Sequence, residues 1–93
     1  MALTTTQKKQ LRTQAHALKP VVTTGQSGLT DAVLAEIEIA LDHHELIKVK
    51  VRVSDREDRK QMIQRIESTT QSENILSIGQ VAVLYRENPD KNK

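Results

Sequence analysis

Two glycines three residues apart, Gly25 and Gly28, are the residues of this chain whose type and spacing best suit ligand binding. Glycine has no side chain, so a ligand can approach the backbone closely there. The pair lies between β-branched Val21 and Val22, which favour a strand, and Thr30, which we expect to cap a helix. Such a loop offers backbone N–H groups to a phosphate-sized anion at a helix N-terminus. The same spacing is also typical of a simple turn, so both interpretations stay open.

Basic side chains that could neutralise phosphates are concentrated in two segments. Residues 1–28 carry four bases and no acid, residues 29–47 carry five acids and no base, and residues 48–52 carry three bases. This segregation predicts a basic and an acidic surface on one small domain. The candidate phosphate contacts are Lys8, Lys9, Arg12, Lys19, Lys48, Lys50 and Arg52. Basic residues are also common on solvated helix faces and at protected strand edges. The interpretation that these residues have only a structural role therefore stays open beside the functional one.

Catalytic and metal-binding chemistry finds little support in the sequence. The chain has no cysteine, which excludes disulfides and thiolate sites. His43 and His44 are neighbours that point about 100° apart on a helix, so they do not easily face one site. Gly28 is followed by Leu29 instead of the lysine of a nucleotide-hydrolysing P-loop. We therefore expect no enzyme, no metal and no cofactor.

Composition indicates how a nucleic acid could be bound and in which cellular compartment the protein is expected. Tyr85 is the single tyrosine, and phenylalanine and tryptophan are absent. Stacking platforms for bases are therefore lacking, and any nucleic acid is expected to be held through its backbone and shape. We see no apolar run of membrane length and no secretory signal, so we expect a cytoplasmic protein without membrane contact.

Hydrophobic periodicity predicts the order helix, strand, helix, strand, helix, strand, strand. The predicted helices lie at 7–18, 31–44 and 56–70, and the predicted strands lie around 21–22 and at 46–53, 75–78 and 81–85. In the second strand, apolar residues alternate with Lys48, Lys50 and Arg52. Alternation of this kind predicts one buried face and one solvated, basic face.

These elements predict an α+β fold with two layers and a four-stranded mixed sheet in the order β-α-β-α-β-β. The first helix is an extra N-terminal element packed on the sheet or its edge. We expect the second and third helices to share one face and to leave the other face open. Residues 1–86 are predicted to form a single domain, and residues 87–93 a polar, disordered tail.

Four short segments between residues 3 and 86 are informative because of their order along the chain. They are LKPVV running into GQSGLT at 18–30, ELIKVKV at 45–51, IG at 78–79 and VLYR at 83–86. Together they resemble the CRM (CRS1–YhbY) domain family, specifically its stand-alone bacterial YhbY-like members.

The resemblance implies a fold like that of the C-terminal domain of bacterial translation initiation factor three. It implies RNA binding, with a G-x-x-G loop similar to that of KH domains, which here is Gly25, Gln26, Ser27 and Gly28. Bacterial members are associated with precursors of the large ribosomal subunit, and plant organellar relatives with group II intron splicing. Many relatives carry a lysine or arginine inside the loop, whereas Gln26 and Ser27 are neutral. Contact is then expected through backbone N–H groups and the Ser27 hydroxyl, with charge from the basic residues named above.

Two functions follow as expectations. The first is an RNA-binding protein that acts on large-subunit precursors through phosphate contacts. The alternative is a protein–protein module that docks a ribosomal or RNA-processing protein through its acidic second helix, where Glu36, Glu38 and the off-face Ile39 lie.

Overall fold

The computed structural model describes residues 3–25 and 28–88. The elements follow in the predicted order, and the predicted α+β class with a four-stranded mixed sheet is confirmed. Their bounds are α1 (Thr5–Ala15), β1 (Pro20–Thr23), α2 (Asp31–His44), β2 (Leu46–Lys50), α3 (Arg56–Thr70), β3 (Glu73–Ile78) and β4 (Val81–Tyr85).

Local sequence signals start each helix where the side chains can cap it. Thr4 and Gln7 form a reciprocal capping box at α1, with the Gln7 N–H donating to Thr4 Oγ1 at 3.1 Å. Thr30 caps α2 by accepting from the Val33 N–H, and Asp55 caps α3 by accepting from the Asp58 N–H. The predicted bounds of α2 and α3 therefore match the structure.

Two predicted elements are shorter in the structure. Helix α1 ends at Ala15 and not at residue 18, because the backbone tightens into three-residue turns, such as Leu18 N–H to Ala15 O at 3.0 Å. Strand β2 ends at Lys50 and not at residue 53. There the Val51 N–H donates to Gln80 O, and the Val53 N–H donates to Val51 O, so the chain leaves the ladder.

The strand order in the sheet is β1-β2-β4-β3. Strands β1 and β2 are parallel, as expected for a strand–helix–strand unit. Strand β4 pairs antiparallel with both β2 and β3. The final hairpin therefore inserts its second strand between β2 and β3, which makes β4 central and leaves β1 and β3 at the edges.

The main core lies between one face of the sheet and the helices α2 and α3. Its fully buried side chains include Ile37 and Leu41 from α2, Ile66 from α3, and Val49 and Leu84 from the sheet. Burying several aliphatic side chains of this size, at about 1.5–3 kcal/mol each, supplies most of the driving force for folding. The predicted placement of α2 and α3 on one face is confirmed.

The opposite face of the sheet is not fully open, in contrast to the prediction. Ala15 of α1 packs on Leu46, Ile75 and Val83, and Leu11 joins the edge of this second core. The physical reason is that these strand residues make one half of that face apolar. Helix α1 covers this half and leaves the rest of the face exposed.

A half-buried arginine, Arg86, lies at the end of the domain remote from the glycine loop. The Arg86 guanidinium donates to Glu38 Oε2 at 2.8 Å, to Asp42 Oδ1 at 2.7 Å and to Thr70 O at 2.8 Å. It thereby ties β4 to α2 and to the end of α3. Asn88 follows, and its N–H donates to Glu45 Oε2 at 2.8 Å. The prediction of a disordered tail otherwise falls on residues 89–93, outside the described residues.

The helices within residues 3–25 and 28–88 are too short or too polar to cross a membrane.

Candidate nucleic-acid interface

The glycine loop begins and ends in a closed turn between β1 and α2. The Gly28 N–H donates to Gly25 O at 3.0 Å, and the two glycines form an isolated antiparallel bridge. Gly28 has φ of 74°, a left-handed conformation that favours glycine. Gln26 and Ser27, the predicted phosphate-contacting residues between them, lie outside the described residues.

Thr24 fixes the loop to the end of the basic strand β2. Its N–H donates to Lys50 O at 2.9 Å, and its Oγ1 accepts from the Arg52 N–H at 2.9 Å. Thr24 is completely buried, so its own atoms in these two bonds are shielded from water. Because of this link, the glycine loop lies beside Lys50 and Arg52, whose side chains are exposed.

The N-terminus of α2 is less available to an anion than its sequence position indicates. Thr30 Oγ1 already accepts from the Val33 N–H at 3.2 Å, and Asp31 adds a carboxylate to the first turn. Thr30 thus satisfies one of the free N–H groups of the helix end, and the Asp31 carboxylate complements the helix dipole. A phosphate at this site would depend mainly on the loop backbone and on the neighbouring cations.

The register of the sheet sorts the basic residues of β2 into two cross-strand rows on the face that α1 packs against. One row crosses all four strands and is here called the covered row, because it lies nearer to α1. Its members are Pro20, Lys48, Val83 and Leu76. The next row, here called the open row, consists of Thr23, Lys50, Val81 and Ile78.

The two rows differ in exposure. Lys48 is half-buried in the covered row, whereas Lys50 is exposed in the open row. Side chains directly opposite one another on neighbouring antiparallel strands have Cβ atoms about 4.5–5.5 Å apart. Lys50 therefore lies beside Val81, with Ile78 one strand farther along the row, whereas Lys48 lies at the margin of α1.

The predicted cations of α1 separate into distinct surroundings. Arg12 lines a cleft together with Lys48, where α1 meets the sheet. Lys8 instead faces Glu73, with Nζ 3.6 Å from Oε1, a surface pair of small energetic value. Lys9 is exposed on the outer side of the helix, and Lys19 is exposed just before β1.

The structure thus brings together two subsets of the predicted site. The first consists of the glycine loop, Lys50 and Arg52, and the second consists of Arg12 and Lys48. Lys8 and Lys9 belong to neither subset, since Lys8 pairs with Glu73 and Lys9 is exposed to solvent, and neither lines the cleft of Arg12 and Lys48.

A further basic group was missed by the sequence reasoning. Arg56, Arg59 and Lys60 at the start of α3 line a second cleft that reaches Gly79 in the β3–β4 turn. Arg59 Nη1 donates to Val53 O at 2.8 Å, which holds its side chain against the segment that follows β2. The spacing of three and four residues was the available signal. Glu57 and Asp58, interleaved with these bases, obscured it.

Tyr85 is not available as a stacking platform. It is half-buried at the edge of the second core. Burial raises the pKa of its phenol, and Glu45 and Glu87 raise it further. Among residues 3–25 and 28–88, no group of three or more histidine, aspartate or glutamate side chains is placed to hold a metal ion.

Comparison with known proteins gives one family and several relatives. The family model of the CRS1/YhbY (CRM) domain matches residues 3–86. A Pseudomonas aeruginosa protein named a probable RNA-binding protein is 47% identical over 93 residues, which cover 100% of this chain and 89% of that one. A Haemophilus influenzae protein named an RNA-binding protein is 52% identical over 84 residues, which cover 90% of this chain and 85% of its own.

A solved structure shares the fold. The solution structure of a hypothetical protein from Staphylococcus aureus superposes with a TM-score of 0.82 at 34% sequence identity. The match covers 94% of this chain and 91% of that chain.

Proposed function

Because this chain belongs to the CRS1/YhbY (CRM) domain family, we propose that it is an RNA-binding protein that acts in the cytoplasm on precursors of the large ribosomal subunit. The relatives from Pseudomonas aeruginosa and Haemophilus influenzae carry RNA-binding in their names. The proposed role is binding and not catalysis.

One observation carries the proposal. Thr24 joins the glycine loop to the backbone of Lys50 and of Arg52 through two hydrogen bonds of 2.9 Å. The glycine loop and two exposed cations therefore lie at one end of the sheet. This combination suits the phosphate backbone of RNA, which is polyanionic and accepts hydrogen bonds.

The proposed mechanism is electrostatic docking on structured RNA. Loop N–H groups bind one phosphate, and Lys50 and Arg52 neutralise its neighbours. Lys48 and Arg12 extend the contact along the margin of α1, while Lys8, Lys9 and Lys19 add charge at the periphery. Each neutralised phosphate releases counterions, so the affinity is expected to fall steeply with salt.

The test is RNA binding across a salt series with a paired set of variants. We expect Lys50→Ala combined with Arg52→Ala to weaken binding to large-subunit ribosomal RNA fragments. The slope of log affinity against log salt is expected to become shallower by about one to two, since about one unit is lost per phosphate contact. Fluorescence anisotropy with labelled fragments gives both quantities.

The matched control removes two positive charges elsewhere. Arg65→Ala combined with Lys91→Ala removes an exposed base of α3 and a base beyond the described residues, neither of which belongs to the proposed surface, and is expected to leave the slope nearly unchanged. If both double variants behave alike, only net charge matters and the proposed surface is wrong. RNA fragments of equal length from the small ribosomal subunit test the proposed preference for the large subunit. If they bind as tightly as the large-subunit fragments, that preference is wrong.

The alternative function is docking of a ribosomal or RNA-processing protein on α2. The observation that favours it is Ile39, an isoleucine 59% exposed on this helix near the exposed Glu36. Glu38 and Asp42 are poor reporters, since both pair with Arg86. Glu36→Ala with Ile39→Ser is therefore the informative variant, and loss of assembly into ribosomal particles with intact RNA binding would favour this alternative.

A further inference from the structure

The cleft between α1 and the sheet has an apolar floor and a cationic rim. It encloses about 200 Å³. Val83 and Leu76 of the covered row and Val81 and Ile78 of the open row contribute aliphatic surface to it. Arg12, His16 and Lys48 contribute the polar groups, and none of the described residues that line it is acidic.

Size and charge restrict what can occupy this cleft. Pockets for drug-sized ligands measure about 300–1,000 Å³, so this cleft takes a single ring system. A rim of basic side chains without a carboxylate favours an anionic group attached to that ring. An aliphatic floor with a nearby guanidinium suits the flat face of an unpaired base, because bases also pack against arginine planes.

The position of the cleft connects it with the proposed RNA surface. Its floor continues into the open row, where Lys50 lies opposite Val81, and Val81 lies opposite Ile78. Ile78 is 61% exposed, an apolar side chain left in water at the mouth of the cleft. An RNA strand neutralised by Lys50 would therefore pass directly beside the opening.

We propose that this cleft binds one unpaired nucleotide of the RNA, with the base on the aliphatic floor and the adjacent phosphates at Arg12 and Lys48. This inference rests on the proposed function and makes it more specific. The chain would select structured RNA that carries a bulged or flipped-out nucleotide over a continuous duplex.

The first test compares two RNA hairpins that differ only in one bulged nucleotide. We expect the wild-type chain to bind the bulged hairpin about fivefold more tightly, the lower end of what a stacked base contributes. Ile78→Ser is expected to abolish this preference and to leave binding of the paired hairpin unchanged. Ile39→Ser is the matched control, because Ile39 is equally exposed but lies on α2, and it is expected to keep the preference.

A second measurement reports the base directly. The chain has one tyrosine and no phenylalanine or tryptophan, so few protein rings affect its methyl signals in NMR spectra. A base seated in the cleft is expected to shift the methyl resonances of Ile78, Val81 and Val83 upfield through its ring current. The methyl signals of Ile39 are expected to stay in place.

The outcomes separate the two proposals. Equal binding of both hairpins, or equal effects of Ile78→Ser on both, overturns the cleft proposal and leaves RNA binding intact. Binding of neither hairpin overturns both. If neither hairpin is preferred and a peptide of alternating glutamate and leucine binds in a manner abolished by Ile78→Ser, the cleft is a peptide site and the nucleotide proposal is wrong.

Discussion

Arg86 shows how one side chain can join three elements. Its guanidinium contacts Glu38 and Asp42 on α2 and the Thr70 carbonyl at the end of α3, while its own backbone continues from β4. The Arg86 side chain is only 19% exposed, but the carboxylates of Glu38 and Asp42 are 42% and 64% exposed. Solvent screening therefore weakens the ion pairs. The hydrogen bonds of the planar guanidinium contribute more to stability than the attraction between the charges.

Arg86→Lys is expected to lower the free energy of unfolding by about 1–2 kcal/mol, because an ammonium group cannot reproduce the fork to two carboxylates and a carbonyl. Urea unfolding followed by circular dichroism measures this change. Arg65→Lys, on the exposed side of α3, is the control and is expected to stay within about 0.5 kcal/mol of wild type. Equal midpoints for both variants would contradict the role assigned to Arg86.

At the scale of elements, the glycine loop depends on strand β2 for its position. Thr24 is completely buried, and it supplies both a donor to Lys50 O and an acceptor for the Arg52 N–H. The loop and the basic end of β2 are distant in sequence but share these two bonds. A substitution at Thr24 is therefore expected to alter the position of the proposed phosphate contacts.

Thr24→Val keeps the volume of the side chain but removes the acceptor for the Arg52 N–H. We expect a loss of about 1–3 kcal/mol in stability, the cost of an unsatisfied buried donor. Amide hydrogen exchange is expected to accelerate at Arg52 more than at Val51, whose N–H donates to Gln80 O. RNA affinity is expected to fall in parallel.

Thr24→Ser is the control, since it retains the hydroxyl and loses only a methyl group. It is expected to keep the slow exchange of the Arg52 amide and most of the RNA affinity. Slow exchange at Arg52 in Thr24→Val would mean that the hydrogen bond does not hold this segment.

At the scale of the whole molecule, two cores lie on opposite faces of one thin sheet. Neighbouring residues of the central strand β4 pack into different cores, with Leu84 in the main core and Val83 in the second core. The same is true of strand β2, where Ile47 packs into the main core and Leu46 into the second core. Because the central strands are shared, loss of either core is expected to weaken the other.

We therefore expect a single cooperative unfolding transition even when either core is weakened. Ile37→Ala, at a fully buried position, should cost about 2–5 kcal/mol. Leu11→Ala, at a half-buried position of the second core, should cost less. In both variants, Tyr85 fluorescence and far-ultraviolet circular dichroism should follow the same urea curve. Separate curves in Leu11→Ala would show that α1 detaches independently.

Local signals in the sequence were sufficient to predict α2 and α3. Apolar residues at helical spacing and capping by Thr30 and Asp55 are short-range features, so the predicted bounds agree with the structure. The predicted end of α1 was wrong by three residues, since tight turns before Pro20 replace its last helical turn. The alternation in β2 correctly predicted which residues enter the main core.

For the candidate site, composition and spacing were enough to predict the residue types and their local order: a glycine loop after a strand, and bases at alternate positions of β2. Which of these residues come together depends on contacts between segments that are distant in the chain. The insertion of β4 between β2 and β3, and the packing of α1 on the second face, are contacts between distant segments. Those contacts half-bury Lys48 beside Arg12 and leave Lys50 exposed beside the loop, because burial depends on neighbours that sequence spacing does not specify.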